Sequence, residues 1–478
     1  MSFNHFEFNL RFFAILVVTI LSLPKLQAEA YKIKVDITGY RNDTLLLGYH
    51  FGDKQYIRDT AFRTKDGFVF KGDSLLEAGM YLIVVLPSHD FFQFLVDGEK
   101  QNFSIQTKIE NLTENLSFKS SKINEDFVKY VDFISSRRIL ADSFSRQVKL
   151  EKDSTRIKFF ESRLNQFDTE VKAYQQDVLS KQPTSLLSLI IRSSLDVEIP
   201  DFSKLPPEKR DIAIFDYYKE HYFDHFDFKD DRGVRIPLYF QKIDRYIEKL
   251  TVQHPDSIGL ALDFVLNNCT ANSENLKFLL SHYLNSYANS KYVGMDGVYV
   301  HLVENFYANG KAPWMDKENL AKMIADAKSL KPLLIDRIAP NIKVFGKDSV
   351  PIQLHEIKSP YLVLIFWAPD CGHCKKSMPF VVDFYNKFKT KGVEILAVCT
   401  KTGQDEKTCW ESAESMHMGN WINASDPTHS SKFKIIYDLK TTPQIYILDK
   451  NKKILTKKIG AEQLGDIMDK LLTIKENE

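Results

Sequence analysis

Two cysteines three residues apart, Cys371 and Cys374, enclose Gly372 and His373 at the end of an apolar run. That run, residues 361–367 (Tyr-Leu-Val-Leu-Ile-Phe-Trp), has the length of a strand buried on both faces. Ala368-Pro369-Asp370 supplies a tight turn, and the spacing beyond Cys371 is helical. The order predicts strand, turn and helix, with Cys371 at the helix N-terminus. Unpaired backbone N–H groups and the positive end of the helix dipole favour a thiolate there. Cys374 follows one turn later, within reach of the first sulfur. Such a dithiol can open and close. Cys371, better exposed and capping the helix, is the expected nucleophile, and Cys374 the thiol that resolves a mixed disulfide.

Other chemistry is weaker on the residues. A closed zinc site needs two further ligands in a second C-x-x-C or an H-x₃₋₅-H. Cys399 and Cys409 are ten residues apart, and the first of them ends an apolar run. Haem attachment needs a histidine where Lys375 stands. His221 and His225, with Asp224 between them, have the spacing of a shared helix face. Six aromatics surround them and no dedicated third ligand is near, so packing is the expectation and no metal is assigned. Cys269, after Leu266, reads as a buried apolar residue. Cys399 and Cys409 stay open between two alternatives: a second disulfide that relays electrons or guards the site, or one buried thiol and one half-exposed helix cysteine.

Residues from about Ala339 to the C-terminus resemble a thioredoxin-fold domain of the TlpA/ResA-like kind. The resemblance rests on residues 366–376 (Phe-Trp-Ala-Pro-Asp-Cys-Gly-His-Cys-Lys-Lys) and on Thr442-Pro443 before the apolar run 444–448. It implies a redox-active Cys371–Cys374 disulfide with no other cofactor. It also implies a cis-proline loop in which Thr442 and Pro443 receive an extended substrate segment. Trp367 is grouped with that substrate-binding set, as a residue supporting the active-site turn. Gly372 and His373 tune the couple: a partly protonated imidazole favours the Cys371 thiolate and raises the potential above that of a Gly-Pro dipeptide. Two departures limit the likeness. Many thioredoxins carry a buried aspartate six residues before the first cysteine, where this chain has Ile365. Some cytochrome-maturation relatives place a glutamate where this chain has Ser377. Water or Asp370 would then have to act as base. The Pro-x-x-x-Thr-x-x-Cys run of peroxiredoxins is missing, which argues against peroxidase activity.

The chain that must position these groups is 478 residues long, too long for one core. With 64 basic and 63 acidic residues, its charge gives no argument for a nucleic-acid partner. Arg11 precedes an uncharged stretch, residues 12–24, and small residues follow at Ala28 and Ala30. A run this short suits a signal peptide rather than a membrane span. Export to the periplasm or cell envelope is expected, with an uncleaved N-terminal anchor as the alternative. Five cysteines, mostly near the dithiol, are too few to staple a secreted chain.

The expected architecture is multidomain. Residues 1–28 are a signal peptide; 31–120 form an antiparallel β sandwich; 122–333 form an all-α domain; 335–478 form an α/β thioredoxin fold. In the β region, Tyr31-Lys-Ile-Lys-Val-Asp-Ile alternates at period 2, and Asp66-Gly67 and Asp97-Gly98 read as hairpin turns. Helix entries are marked at Asp153, Pro206-Pro207, Asn272-Ser-Glu and Asp316. Pro379 is expected to kink the active-site helix. Both leading regions resemble modules of unassigned function found ahead of TlpA-like domains. The sequence therefore predicts an exported thiol–disulfide oxidoreductase acting on protein thiols or disulfides, with an upstream membrane redox donor as a further candidate partner. The alternative is a non-catalytic envelope binding module whose redox domain is vestigial.

Overall fold

The computed structural model describes residues 29–98 and 100–476. The expected signal peptide, residues 1–28, lies outside them. Among the described residues no helix is long and apolar enough to cross a membrane.

Among the described residues eight strands come first: β1 (Tyr31–Thr38), β2 (Thr44–Phe51), β3 (Lys54–Phe62), β4 (Phe68–Gly72), β5 (Gly79–Val85), β6 (Phe91–Val96), β7 (Asn102–Lys108) and β8 (Ser117–Lys119). They form two four-stranded sheets, ordered β4-β1-β7-β8 and β3-β2-β5-β6. Alternation in β1 buries Tyr31, Ile33, Val35 and Ile37. These meet Leu45, Leu47, Ile83 and Phe94 of the other sheet in one core.

The sheets depart from the sequence reading in two ways. They are not wholly antiparallel, because β1 pairs with β7 in parallel. Nor do the two Asx-Gly turns join strands of one sheet, although Thr64 and Gly67 exchange both backbone hydrogen bonds across a tight turn. Strand β3 pairs with β2 while β4 pairs with β1, and β6 pairs with β5 while β7 pairs with β1. Asp66-Gly67 and Asp97-Gly98 thus carry the chain from one sheet to the other. A turn dipeptide specifies local reversal; which strand receives the hydrogen bonds depends on burying both inner faces.

Nine helices follow: α1 (Lys122–Leu150), α2 (Ser154–Lys181), α3 (Leu186–Ser194), α4 (Pro207–Glu220), α5 (Pro237–Arg245), α6 (Pro255–Asn268), α7 (Glu274–Ala288), α8 (Asp296–Leu302) and α9 (Lys317–Leu330). Side-chain caps open several of them: Asp153 accepts from the amides of Thr155 and Arg156, and Asp316 from that of Asn319. Their core takes in Met80 and Leu95 from the outer face of the second sheet. Fully buried Asn124 of α1 accepts from the Leu95 amide and donates to the Leu95 carbonyl, both at 2.7 Å. Gly52, at φ +60°, lies so close to Phe278 of α7 that a Cβ would fall 1.7 Å from its ring.

The last third holds a hairpin, β9 (Lys343–Phe345) and β10 (Pro351–Gln353), and then β11 (Tyr361–Trp367), α10 (Gly372–Phe388), β12 (Val393–Cys399), α11 (Glu406–Ser415), β13 (Ile422–Ala424), α12 (Phe433–Ile436), β14 (Gln444–Asp449), β15 (Ile454–Lys457) and α13 (Leu464–Glu476). The main sheet is ordered β13-β12-β11-β14-β15. Strand β11 runs parallel to β12 and antiparallel to β14. Every residue of β11 is buried. Val363, Ile365 and Trp367 enter the layer shared with α10 and α13, while Leu362, Leu364 and Phe366 enter the opposite layer. This is a thioredoxin-like fold.

Lys457 joins this sheet to the helical region. It is 2% exposed, pairs with Asp296 of α8 and donates to the Leu333 carbonyl at 2.6 Å. Burial pushes its ammonium pKa down, and the nearby carboxylate opposes that shift. Removing one partner of such a pair leaves an uncompensated buried charge. Asp296→Ala is expected to destabilise the chain by about 3 kcal/mol, and Asp296→Leu/Lys457→Met to recover most of the loss. Urea unfolding of the two variants beside the parent protein checks this.

Candidate functional site

Strand β11 ends at Trp367 and α10 starts at Gly372, with Cys371 as its N-cap. Capping here is done by sulfur: Cys371 Sγ accepts from the Cys374 amide at 3.2 Å. The same sulfur lies 3.2 Å from the Thr442 carbonyl, to which the thiol donates. Thr442–Pro443 is a cis peptide just before β14, so antiparallel pairing of β14 with β11 brings this loop to the end of the active-site strand. Cys371 and Cys374 are both free thiols.

Their environments differ. Cys374 is fully buried among Trp367, Met378 and Val381, and burial pushes its pKa up to about 11. Cys371 is half-buried. Burial raises its pKa too, but hydrogen bonding from the Thr442 side chain, from Cys374 and from the His373 amide outweighs that and leaves it below the ordinary thiol value. Geometry thus divides the pair into one ionisable, accessible sulfur and one sheltered sulfur.

Of the other predicted site residues, His373 and Gly372 are exposed, and Thr442 and Pro443 are half-buried. A Cβ at Gly372 would meet nothing within 4 Å, so this face of the turn is open to an approaching chain. Trp367, grouped with the substrate-binding residues as a support for the turn, is buried. It is 1% exposed inside the α10 layer and touches the turn only from beneath, because a bilaterally buried strand sends its last side chain into the core. Cys399 and Cys409 form a disulfide with Cα atoms 6.1 Å apart. Cys399 pairs in register with Trp367, so the bridge lies in the same layer as Cys374.

Asp370 is unsuited to act as a base. Its carboxylate pairs with Lys401 at 2.7 Å, and that hydrogen bond holds its pKa below the usual range. The Lys401 contact was not foreseeable from sequence, since it depends on the loop after β12 folding back beside the active-site turn. Fully buried Ile365 occupies the position where many thioredoxins have an aspartate. Helix α10 continues through Pro379 to Phe388.

The remaining candidates fall elsewhere. Helix α4 ends at Glu220, so His221 and His225 do not share a helix face, and His221 Nδ1 meets Asp224 at 2.7 Å. Cys269 is buried and its thiol is pushed up to about 12 by burial.

Because the thiolate is the reactive form, a lowered pKa moves alkylation to lower pH and a raised one to higher pH. With the protein reduced at the dithiol, iodoacetamide is expected to modify Cys371 first, half-maximally below the pH of an ordinary thiol. Cys374 is expected to react only as pH approaches about 11. Peptide mass mapping after short pulses across pH measures both.

Comparisons with known proteins agree with this geometry. Residues 336–472 match the Redoxin family, and residues 164–329 match a domain of unknown function, DUF5106. The thiol-disulfide oxidoreductase ResA of a Bacillus cereus strain is 32% identical over 146 residues, which cover 29% of this chain and 78% of the relative. Similar solved structures include a domain of a possible thiol-disulfide isomerase from Cytophaga hutchinsonii, 32% identical, covering 31% of this chain and 99% of that one, with a TM-score of 0.29. A thioredoxin-like protein from Bacteroides caccae is 18% identical, covering 58% of this chain and 98% of that one, with a TM-score of 0.37. With a dithiol capping the helix that follows the central strand, and a ResA relative matched over most of its length, the chain belongs to the TlpA/ResA-like thioredoxin-fold thiol–disulfide oxidoreductases.

Proposed function

We propose that the Cys371–Cys374 dithiol is the redox centre of this oxidoreductase and exchanges disulfides with protein substrates outside the cytoplasm. The asymmetry of the two thiols carries the reading: a half-buried, helix-capping Cys371 with a lowered pKa beside a fully buried Cys374. The Cys371 thiolate attacks one sulfur of a substrate disulfide. That S–S bond breaks, the departing substrate sulfur leaves as thiolate, and a mixed disulfide forms. Cys374 then loses its proton and attacks Cys371 Sγ, releasing the second substrate sulfur. Two electrons pass to the substrate and the pair closes as a disulfide. Run in reverse, the same steps donate a disulfide. Without a carboxylate at Ile365 and with Asp370 held by Lys401, the substrate thiolate released in the first step, or water, takes the Cys374 proton.

In this reading Thr442 and Pro443 form the substrate loop, Gly372 leaves the turn open, His373 tunes the couple, and Trp367 supports the turn from the core. The chain divides into a signal peptide at 1–28, a β sandwich at 31–120, an all-α domain at 122–333 and the redox domain at 335–478. Export rests on the leader composition, and the periplasm or cell envelope is the compartment. A membrane donor of electrons upstream would return the disulfide to dithiol.

Reduction of insulin disulfides by dithiothreitol is expected to accelerate with the protein present. Cys371→Ser should fall to background, and Cys374→Ser should accumulate a mixed disulfide visible on non-reducing gels. A parent protein with no rate above background would mean a vestigial dithiol. Equilibration with glutathione then sets the direction: a potential near about −180 mV or higher marks an oxidant or isomerase, and one below about −250 mV a reductant. His373→Pro is expected to shift the potential to more negative values by tens of millivolts.

A further inference from the structure

Next to the substrate loop, the helical region and the redox domain enclose a cleft of about 460 Å³. One wall includes Asp438 and Lys440, and the chain reaches Thr442 two residues later. The other wall is the segment between α7 and α8, from Ser290 to Gly294. Lys440 thus connects the cleft along the chain to Thr442, whose carbonyl accepts from the Cys371 thiol.

Four lysines and three aspartates line this cleft, an excess of one positive charge. Lys457 is held by Asp296, and Lys440 lies 3.5 Å from Asp326 and 3.3 Å from Asp438. These two lysines engage all three carboxylates that line the cleft. Lys291 and Lys458, both exposed, remain without an ion-pair partner among the described residues. Beside Lys291, Tyr292 is 80% exposed and Val293 46% exposed, so an apolar rim adjoins that lysine. Formal net charge over the whole chain is only +1, which makes this a local feature rather than part of a general basic surface.

We propose that the cleft is a specificity subsite for the polypeptide substrate: an acidic stretch flanking the reacting cysteine runs from the Thr442 loop into it. Carboxylates of that stretch meet Lys291 and Lys458, and a neighbouring apolar side chain covers Tyr292. The helical region, through its α7–α8 segment, then selects which disulfides reach Cys371. This inference rests on the thiol–disulfide reading above.

The test uses the full chain, reduced, and single-cysteine peptides joined by a disulfide to chromophoric thionitrobenzoate. The peptides differ only in glutamates, glutamines or lysines flanking the cysteine. At low ionic strength, kcat/KM for the glutamate peptide is expected to exceed that for the lysine peptide by about tenfold, and the ratio to collapse in high salt. In Lys291→Glu/Lys458→Glu the preference is expected to invert, while the rate on uncharged hydroxyethyl disulfide stays that of the parent. Equal rates on the three peptides, or a preference unchanged in the double variant, would overturn the subsite and leave the redox reading standing. Failure of the parent protein to reduce hydroxyethyl disulfide would overturn both.

Discussion

Burial of β11 on both faces is the constraint from which the rest of the site follows. Each of its seven side chains lies in one of two apolar layers, and full burial of such side chains contributes about 1.5–3 kcal/mol apiece. A slip of one residue would exchange the two layers, placing Trp367 where Phe366 stacks on Phe433. The register against β12 and β14 is therefore tightly specified, and so is the point where the strand stops. Four residues beyond that point Cys371 caps α10, and β14 brings Thr442 to meet it. The position of the reactive sulfur is a consequence of hydrophobic layering.

The same layering separates the chemistry of two cysteines only three residues apart. One helical turn carries Cys374 inward, into the layer of Trp367 and Met378, while Cys371 stays at the rim with hydrogen-bonding neighbours. With Ile365 in the same layer, the surroundings of Cys374 are apolar. The Cys399–Cys409 bridge lies in that layer too, and closes the loop bearing Lys401 beside the active-site turn. Lys401 in turn holds Asp370, the residue before the nucleophile.

Ahead of the redox domain, the chain is tied together by a few buried polar contacts set in apolar surfaces. Asn124 satisfies both backbone groups of Leu95, and Lys457 reaches across to Asp296 and the Leu333 carbonyl. A buried polar group left unpartnered costs more than a made bond returns, so these contacts specify how the parts fit more than they add stability. The result sets the α7–α8 segment across a cleft from Asp438 and Lys440, which lead into the substrate loop.

The order strand, turn, dithiol and helix was legible in the sequence because each step has a local cause. A continuous apolar run buries a strand, Ala368-Pro369-Asp370 turns it, and a cysteine at a helix start caps it. Helix entries such as Asp153 and Asp316 were legible for the same reason. Tertiary structure decided what local chemistry leaves open: the parallel β1–β7 pair and the sheet-switching turns at Asp66-Gly67 and Asp97-Gly98. It also decided the Cys399–Cys409 bridge, the Lys401–Asp370 pair and the unmatched lysines Lys291 and Lys458. Each of these depends on residues far apart in the chain meeting once apolar faces have been buried, and residue type and spacing encode the faces but not the meeting.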